Sequence, residues 1–153
     1  MSFGHLNHGK SPLEVPVVTG ASADIVEFTA GGAIAAGDVV AFDVAGQAGE
    51  SQTTVVIQAA TGSAAAIGVA VEAITAQQAT DGTQVRVCIA GYIEGVNAAG
   101  APALAQGNPV VISGSDAGAV TISAAGSITP VLGVALDAET AGNTVTLYLF
   151  RQL

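Results

Sequence analysis

Apolar and polar positions alternate with a period of two along most of this chain, the pattern of β-strands buried on one face. Gly, Asn and Asp between the runs supply turns, and Asp81-Gly82 is a strong tight-turn signal. Helical signal is limited to two Ala-rich stretches, 73–80 and 97–106. The pattern predicts an all-β fold, a small antiparallel β-sandwich or barrel, with strands over residues 24–29, 39–44, 53–57, 85–89, 107–112, 119–123 and 144–150.

One phrase occurs twice. Ile-Gly-Val-Ala-Val-Glu over 67–72 returns as Leu-Gly-Val-Ala-Leu-Asp over 132–137. Each copy follows a Gly-led apolar run and precedes an alternating run, at 37–42 and 84–89 in the first case and at 107–112 and 144–149 in the second. We therefore predict that the domain is built from two related halves, about 31–96 and 101–153.

Residues 1–16 have neither β nor helical periodicity and differ in charge from the rest. They contain His5, His8 and Lys10, whereas the remainder is strongly acidic. We interpret 1–16 as an extended N-terminal arm ahead of a β domain over 17–153.

Charge and composition exclude several functions. Formal net charge is −9, and Lys10, Arg86 and Arg151 are the only Lys and Arg residues. Direct nucleic-acid binding needs clustered cations, so none is expected, and anionic lipid would be repelled. We expect no signal peptide in 1–20 and no membrane-spanning segment, hence synthesis in the cytoplasm without export. Only 10% of residues are charged, and large uncharged surfaces suggest burial in an assembly.

Catalytic material is sparse. His5 and His8 are two candidate ligands, fewer than a zinc site uses, so no metal is expected. The carboxylate pairs Asp38/Asp43 and Asp137/Glu139 are interpreted as surface groups at turns or on polar strand faces. No nucleophile–base motif or nucleotide-binding motif is present, so we expect no cofactor and no enzymatic activity.

Three further side chains carry expectations. Cys88 lies inside an alternating strand and is expected to be a buried, inert thiol. Arg86 and Arg151 lie in or beside the two equivalent alternating strands. They could donate salt bridges across an oligomer interface, or simply face solvent; both interpretations stay open.

A family resemblance sharpens the functional hypothesis. The motifs Gly37-Asp38-Val39-Val40, Ile67-Gly68-Val69-Ala70 and Val85-Arg86-Val87, with Gly91 after the third, resemble the capsid decoration (cement) proteins of tailed bacteriophages. The resemblance implies a virion protein, commonly a homotrimer, that binds the outer surface of an icosahedral head and clamps the major capsid protein. On that hypothesis the arm would contact the capsid through Phe3, Leu6, Lys10, Leu13 and Val15.

Two alternatives belong to other functional classes. One is a host- or glycan-binding β module of a phage tail, fibre or adhesin, which would need an exposed patch rich in Tyr and Trp. The chain has two Tyr and no Trp, which counts against it. The other is a carboxylate-dependent glycosidase, for which the lack of aromatic and His residues predicts no turnover.

Overall fold

The computed structural model describes residues 17–152, and strands dominate this part of the chain. The arm predicted over 1–16 lies outside the described residues. Within them, a short α-helix, α1 (Ala76–Thr80), and a 3-10 turn (Gly49–Thr53) are the helical elements. The all-β prediction is confirmed. The strands are β1 (Val18–Thr19), β2 (Asp24–Ala30), β3 (Val39–Phe42), β4 (Val55–Gln58), β5 (Ala66–Ala70), β6 (Gln84–Asn97), β7 (Pro109–Ile112), β8 (Val120–Ile122), β9 (Gly133–Ala135) and β10 (Thr144–Leu149).

The first five strands after β1 close into a barrel. Their order is β2-β4-β3-β5-β6, and β6 also pairs with β2, which completes the ring. All pairings are antiparallel except β2 with β4, where Thr29 opposes Val55 and Ala30 opposes Val56 in parallel register. This parallel pair is an exception within the antiparallel barrel that the sequence predicts. A ring with an odd number of strands cannot alternate direction throughout, so five strands need a parallel pair.

The remaining strands repeat this order. From β6 the sheet continues β10-β9-β7-β8, again antiparallel. A parallel bridge between Ala98 and Val120 brings β8 back beside the end of β6. We call this second ring of pairings the second barrel. The strand β6 belongs to both: residues 84–90 pair with β2, and residues 91–97 pair with β10.

Hydrogen bonds repeat along with strand order. The amide of Gly37 donates to Ala70 O at 2.9 Å, and the amide of Gly107 donates to Ala135 O at 2.8 Å. The turns that start β3 and β7 thus attach to the repeated phrase in the same way. The boundaries given above for the two halves remain a prediction, since β6 runs through the junction between them.

Two clusters of buried side chains form the core. One fills the first barrel: Phe28, Ala30, Ile34, Val40, Val56, Ile67, Ala70, Ile74, Val85, Val87 and Ile89. The other joins the interior of the second barrel to the outer face of β3, β5 and β6, and includes Val39, Val69, Cys88, Ile93, Val96, Val110, Ile112, Val120, Val145, Leu147 and Leu149. The second barrel is therefore packed directly on a wall of the first.

The helical signals differ in outcome. Helix α1 forms within 73–80 because Thr75 and Gln78 make a capping box, in which each side chain accepts from the other's backbone amide. The second Ala-rich stretch, 97–106, is not helical. Ala98 bridges to Val120, and the amide of Leu104 donates to Glu139 Oε2 at 3.1 Å. These tertiary bonds, together with Gly100 and Pro102, outweigh the helix propensity of the alanines.

Candidate interaction surface

The outer face of the second barrel carries a row of apolar side chains across four strands. Register places Pro109 beside Val134, Val134 beside Tyr148, and Tyr148 beside Tyr92. We call these four residues the apolar row. Tyr148 faces outward because Val145, Leu147 and Leu149 alternate inward on β10, and 47% of it is exposed.

Other exposed apolar groups adjoin the apolar row. Phe150 is 45% exposed, and its ring centroid lies 6.4 Å from that of Tyr148. The amide of Phe150 donates to Leu132 O, and Gln152 Nε2 donates to Val131 O at 3.2 Å, which brings Val131 to the same edge. Ile128, in the loop between β8 and β9, is fully exposed. Exposed apolar groups thus concentrate at the β9–β10 side of the molecule.

A polar groove borders the apolar row. The hydroxyl of Tyr92 donates to Glu94, and Asp137 accepts from the amide and hydroxyl of Thr146. The bond to Glu94 raises the pKa of Tyr92, with burial and the charges of Glu94 and Asp137 adding to the effect. The groove has a cavity of about 290 Å³ and is lined by Glu94, Gly95, Asp137, Thr140, Thr144, Val145 and Thr146.

The two arginines assigned to an oligomer interface both have partners within the chain. The guanidinium of Arg86 donates to the carboxylate of Glu72 from Nη2 at 3.1 Å and from Nε at 3.3 Å. The backbone amide of Arg86 donates to the same carboxylate. Arg151 pairs with Asp24, so the segment after β10 is tied to the start of β2. Both pairs are partly exposed, which limits each to about 0–1 kcal/mol. A role between subunits stays a prediction for both arginines.

Asp38 corrects the interpretation of the carboxylates as surface groups. It is only 3% exposed, and its side chain accepts from the amide of Ala35, from Gln58 Nε2 at 2.8 Å and from Asn97 Nδ2 at 2.8 Å. Three donors replace the water that a carboxylate loses on burial. Because Gln58 is on β4 and Asn97 ends β6, Asp38 links three segments where the barrels meet.

Cys88 lies in the core between the barrels and is fully buried. Burial raises the pKa of its thiol to about 11. The reactive thiolate is therefore scarce near neutral pH, as expected for a structural cysteine.

The predicted capsid contacts Phe3, Leu6, Lys10, Leu13 and Val15, together with His5 and His8, lie outside the described residues. Among residues 17–152, no three His, Cys, Asp or Glu side chains cluster as a metal site would require. In the same part of the chain, no helix has the length and apolar character needed to cross a membrane.

Sequence reasoning missed the apolar row, although a signal for it was present. Tyr148 occupies the polar-phase position of an otherwise regular alternation over 144–149. Its neighbours Tyr92, Val134 and Pro109 come from three other strands, and only the register brings them together. The composition shows only two tyrosines, but the fold places both side by side on one face.

Taken together, these features define an all-β double barrel whose outer surface carries the apolar row and the polar groove. No family model matches the chain, and no curated protein matches it. Among solved structures it is similar to the N-terminal base of the head fibre protein gp8.5 of bacteriophage phi29. The TM-score is 0.57 with 19% identity, covering 84% of this chain and 95% of that one. At this identity the likeness concerns the fold.

Proposed function

We propose that this protein is a non-enzymatic structural component of a phage virion that binds the outer surface of the icosahedral head and stabilises the major capsid lattice. On this proposal it acts as a homotrimer and contacts the major capsid protein. The apolar row carries the proposal, because a face with two tyrosines and adjoining exposed apolar groups is suited to protein contact. Likeness in fold to a head fibre base and the motif resemblance to cement proteins support it.

The lattice would be stabilised by linkage. A protein that binds the assembled shell in preference to free subunits shifts the equilibrium toward the shell. Repeated binding to one lattice adds avidity to individually weak contacts. The arm would contact the capsid through Phe3, Leu6, Lys10, Leu13 and Val15. These basic and apolar side chains differ from the acidic body of the chain.

The test removes residues 1–16 and measures how much of the shortened chain binds to phage heads that carry no copy of this protein. We expect the dissociation constant for heads to rise by at least about tenfold if the arm supplies ~1.4 kcal/mol or more, with occupancy falling accordingly at subsaturating protein. A full-length control with both arm histidines changed, His5→Gln and His8→Gln, should bind like wild type. Undiminished occupancy of the shortened chain would refute the role of the arm, and no binding by wild type would refute decoration.

The polar groove favours a second function, a glycan-binding module of a fibre. Carboxylates and threonine hydroxyls can bond the hydroxyls of a neutral sugar chain, and the rim beside Tyr92 offers a ring for stacking. Calorimetric titration with neutral oligosaccharides tests this. Binding that is weakened by Thr144→Ala, with Thr121→Ala on β8 as control, would support it; no heat with any sugar would reject it.

A further inference from the structure

The first barrel contains an equivalent of the apolar row. Register places Val39 beside Val69, Val69 beside Cys88, and Cys88 beside Ile25. These residues lie on β3, β5, β6 and β2, the counterparts of β7, β9, β10 and the second part of β6. The two rows therefore occupy the same place in the two barrels.

The rows differ in what covers them. Val39, Val69 and Cys88 are fully buried, because the core of the second barrel packs over them. In the second barrel, Tyr148 is 47% exposed, Pro109 is exposed, and Val134 and Tyr92 are partly exposed. The apolar chemistry is kept in the second row, but the described residues provide no third barrel to cover it.

Charge indicates which partner suits this face. The apolar row has no ionic side chain, whereas the chain as a whole has a net charge of −9. Two copies would repel over most of their surfaces and could approach most easily at an uncharged face. Glu94 and Asp137 are at its border, and the hydroxyl of Tyr92 already satisfies one oxygen of Glu94.

We propose that the apolar row is a self-association surface, covered by a second copy of this chain as Val39, Val69 and Cys88 of the first row are covered by the second barrel; Ile25, at the end of the first row, is 36% exposed. This inference deepens the proposed homotrimer by assigning the face through which copies meet. Tyr148 lies at the centre of the contact, and Phe150 extends it. Tyrosine is enriched at protein interfaces because a rigid ring gives a large contact area for little loss of entropy.

The experiment is sedimentation velocity on the full-length chain over a concentration series. Wild type should sediment as a multiple of the chain mass, and Tyr148→Glu should dissociate at a concentration at least about tenfold higher. Val44→Ser is the matched control, since Val44 is 53% exposed and lies outside the apolar row. Wild type that stays monomeric, or Tyr148→Glu that associates like wild type, overturns the proposal.

Two further measurements protect the test from a folding defect. Circular dichroism checks each variant, and Phe150→Ser replaces Tyr148→Glu if the latter is unfolded. Hydrogen exchange on unmodified protein should show concentration-dependent protection in β9 and β10; unchanged exchange there, in protein that associates, also overturns the proposal. Head binding distinguishes the failure of the decoration proposal from the failure of the self-association proposal. A folded monomeric variant that still binds heads would show that decoration does not require self-association.

Discussion

At the residue scale, equivalent positions of the repeat have different chemistry. Asp38 and Asn108 both follow the glycine that opens a strand, and both accept a backbone amide three residues earlier, Ala35 and Ala105 respectively. Only Asp38 also accepts from two side-chain amides. A local turn role is thus shared by both residues, whereas the link between barrels belongs to Asp38 alone.

Changing Asp38→Asn tests that link. An amide would present NH₂ where one of the two neighbouring side-chain donors now finds an oxygen, so that donor would lose its acceptor and the buried NH₂ of the new side chain would face another donor. We expect a loss of about 1–3 kcal/mol in the free energy of unfolding, measured with urea. The control Glu50→Gln removes an exposed carboxylate and should stay within about 0.5 kcal/mol. Equal stability of the two variants would contradict the link.

The buried thiol of Cys88 predicts how stability depends on pH. Burial raises its pKa in the folded state from 9.0 to about 11. Between these values the unfolded chain loses a proton that the folded chain keeps, so stability falls as pH rises. The full contribution is present below about pH 9 and is lost through about pH 11, with an upper limit of about 3 kcal/mol.

Comparison with Cys88→Ala isolates this titration. Other groups also ionise in alkali, and the cavity left by the substitution lowers stability at every pH. The difference in unfolding free energy between the two proteins should therefore shrink from pH 8 to pH 11 by about 1–3 kcal/mol. Parallel stability curves across this range would show that the thiol does not titrate as described.

At the element scale, each copy of the repeated phrase places a glycine in close contact with the neighbouring strand. A Cβ on Gly68 would lie 2.3 Å from Cys88 O, and one on Gly133 would lie 2.2 Å from Tyr148 O. Both contacts are with the backbone of the neighbouring strand, which cannot move aside without breaking the sheet. Glycine is therefore required by space at both positions.

Gly68→Ala and Gly133→Ala should each destabilise the protein by at least about 2 kcal/mol. Gly114→Ala is the control, because a Cβ there meets no atom within 4 Å. Thermal unfolding followed by circular dichroism would rank the three variants. A Gly133 variant as stable as the Gly114 variant would mean that β9 and β10 are not as close as described.

Local pattern was enough to predict most of the strands, because alternation and turn residues are properties of short segments. The predicted strand 85–89 is the first part of β6, which continues to Asn97. Local pattern could not give the parallel β2–β4 pair, which follows from closing a ring of five. The burial of Asp38 depends on Gln58 and Asn97, which lie 20 and 59 residues away in sequence. Predicting a site assembled from distant strands requires the strand register, and the local pattern of a single sequence does not reveal that register.

At the scale of the whole molecule, the barrels share a strand and a core. The second cluster of buried residues runs from the interior of the second barrel to the wall of the first, and β6 pairs in both. Separating the barrels would expose Val39, Val69 and Cys88 to water. Neither barrel should therefore be stable without the other.

We expect the full chain to unfold in a single cooperative transition. Scanning calorimetry should give a calorimetric enthalpy equal to the van't Hoff enthalpy, measured at a fixed protein concentration because association would shift the midpoint. Two resolved transitions, or a ratio of calorimetric to van't Hoff enthalpy well above one, would indicate barrels that melt independently despite the common core.

The double membership of β6 makes this architecture extensible by design. In the first barrel β6 is the closing strand and then opens the next unit, whereas β10 holds the corresponding closing position in the second. A synthetic gene could lengthen β10 and append a further barrel that begins with this extension. The added barrel would then cover Tyr148 within the same polypeptide. Such tandem chains would be rods whose length is set by the number of units encoded.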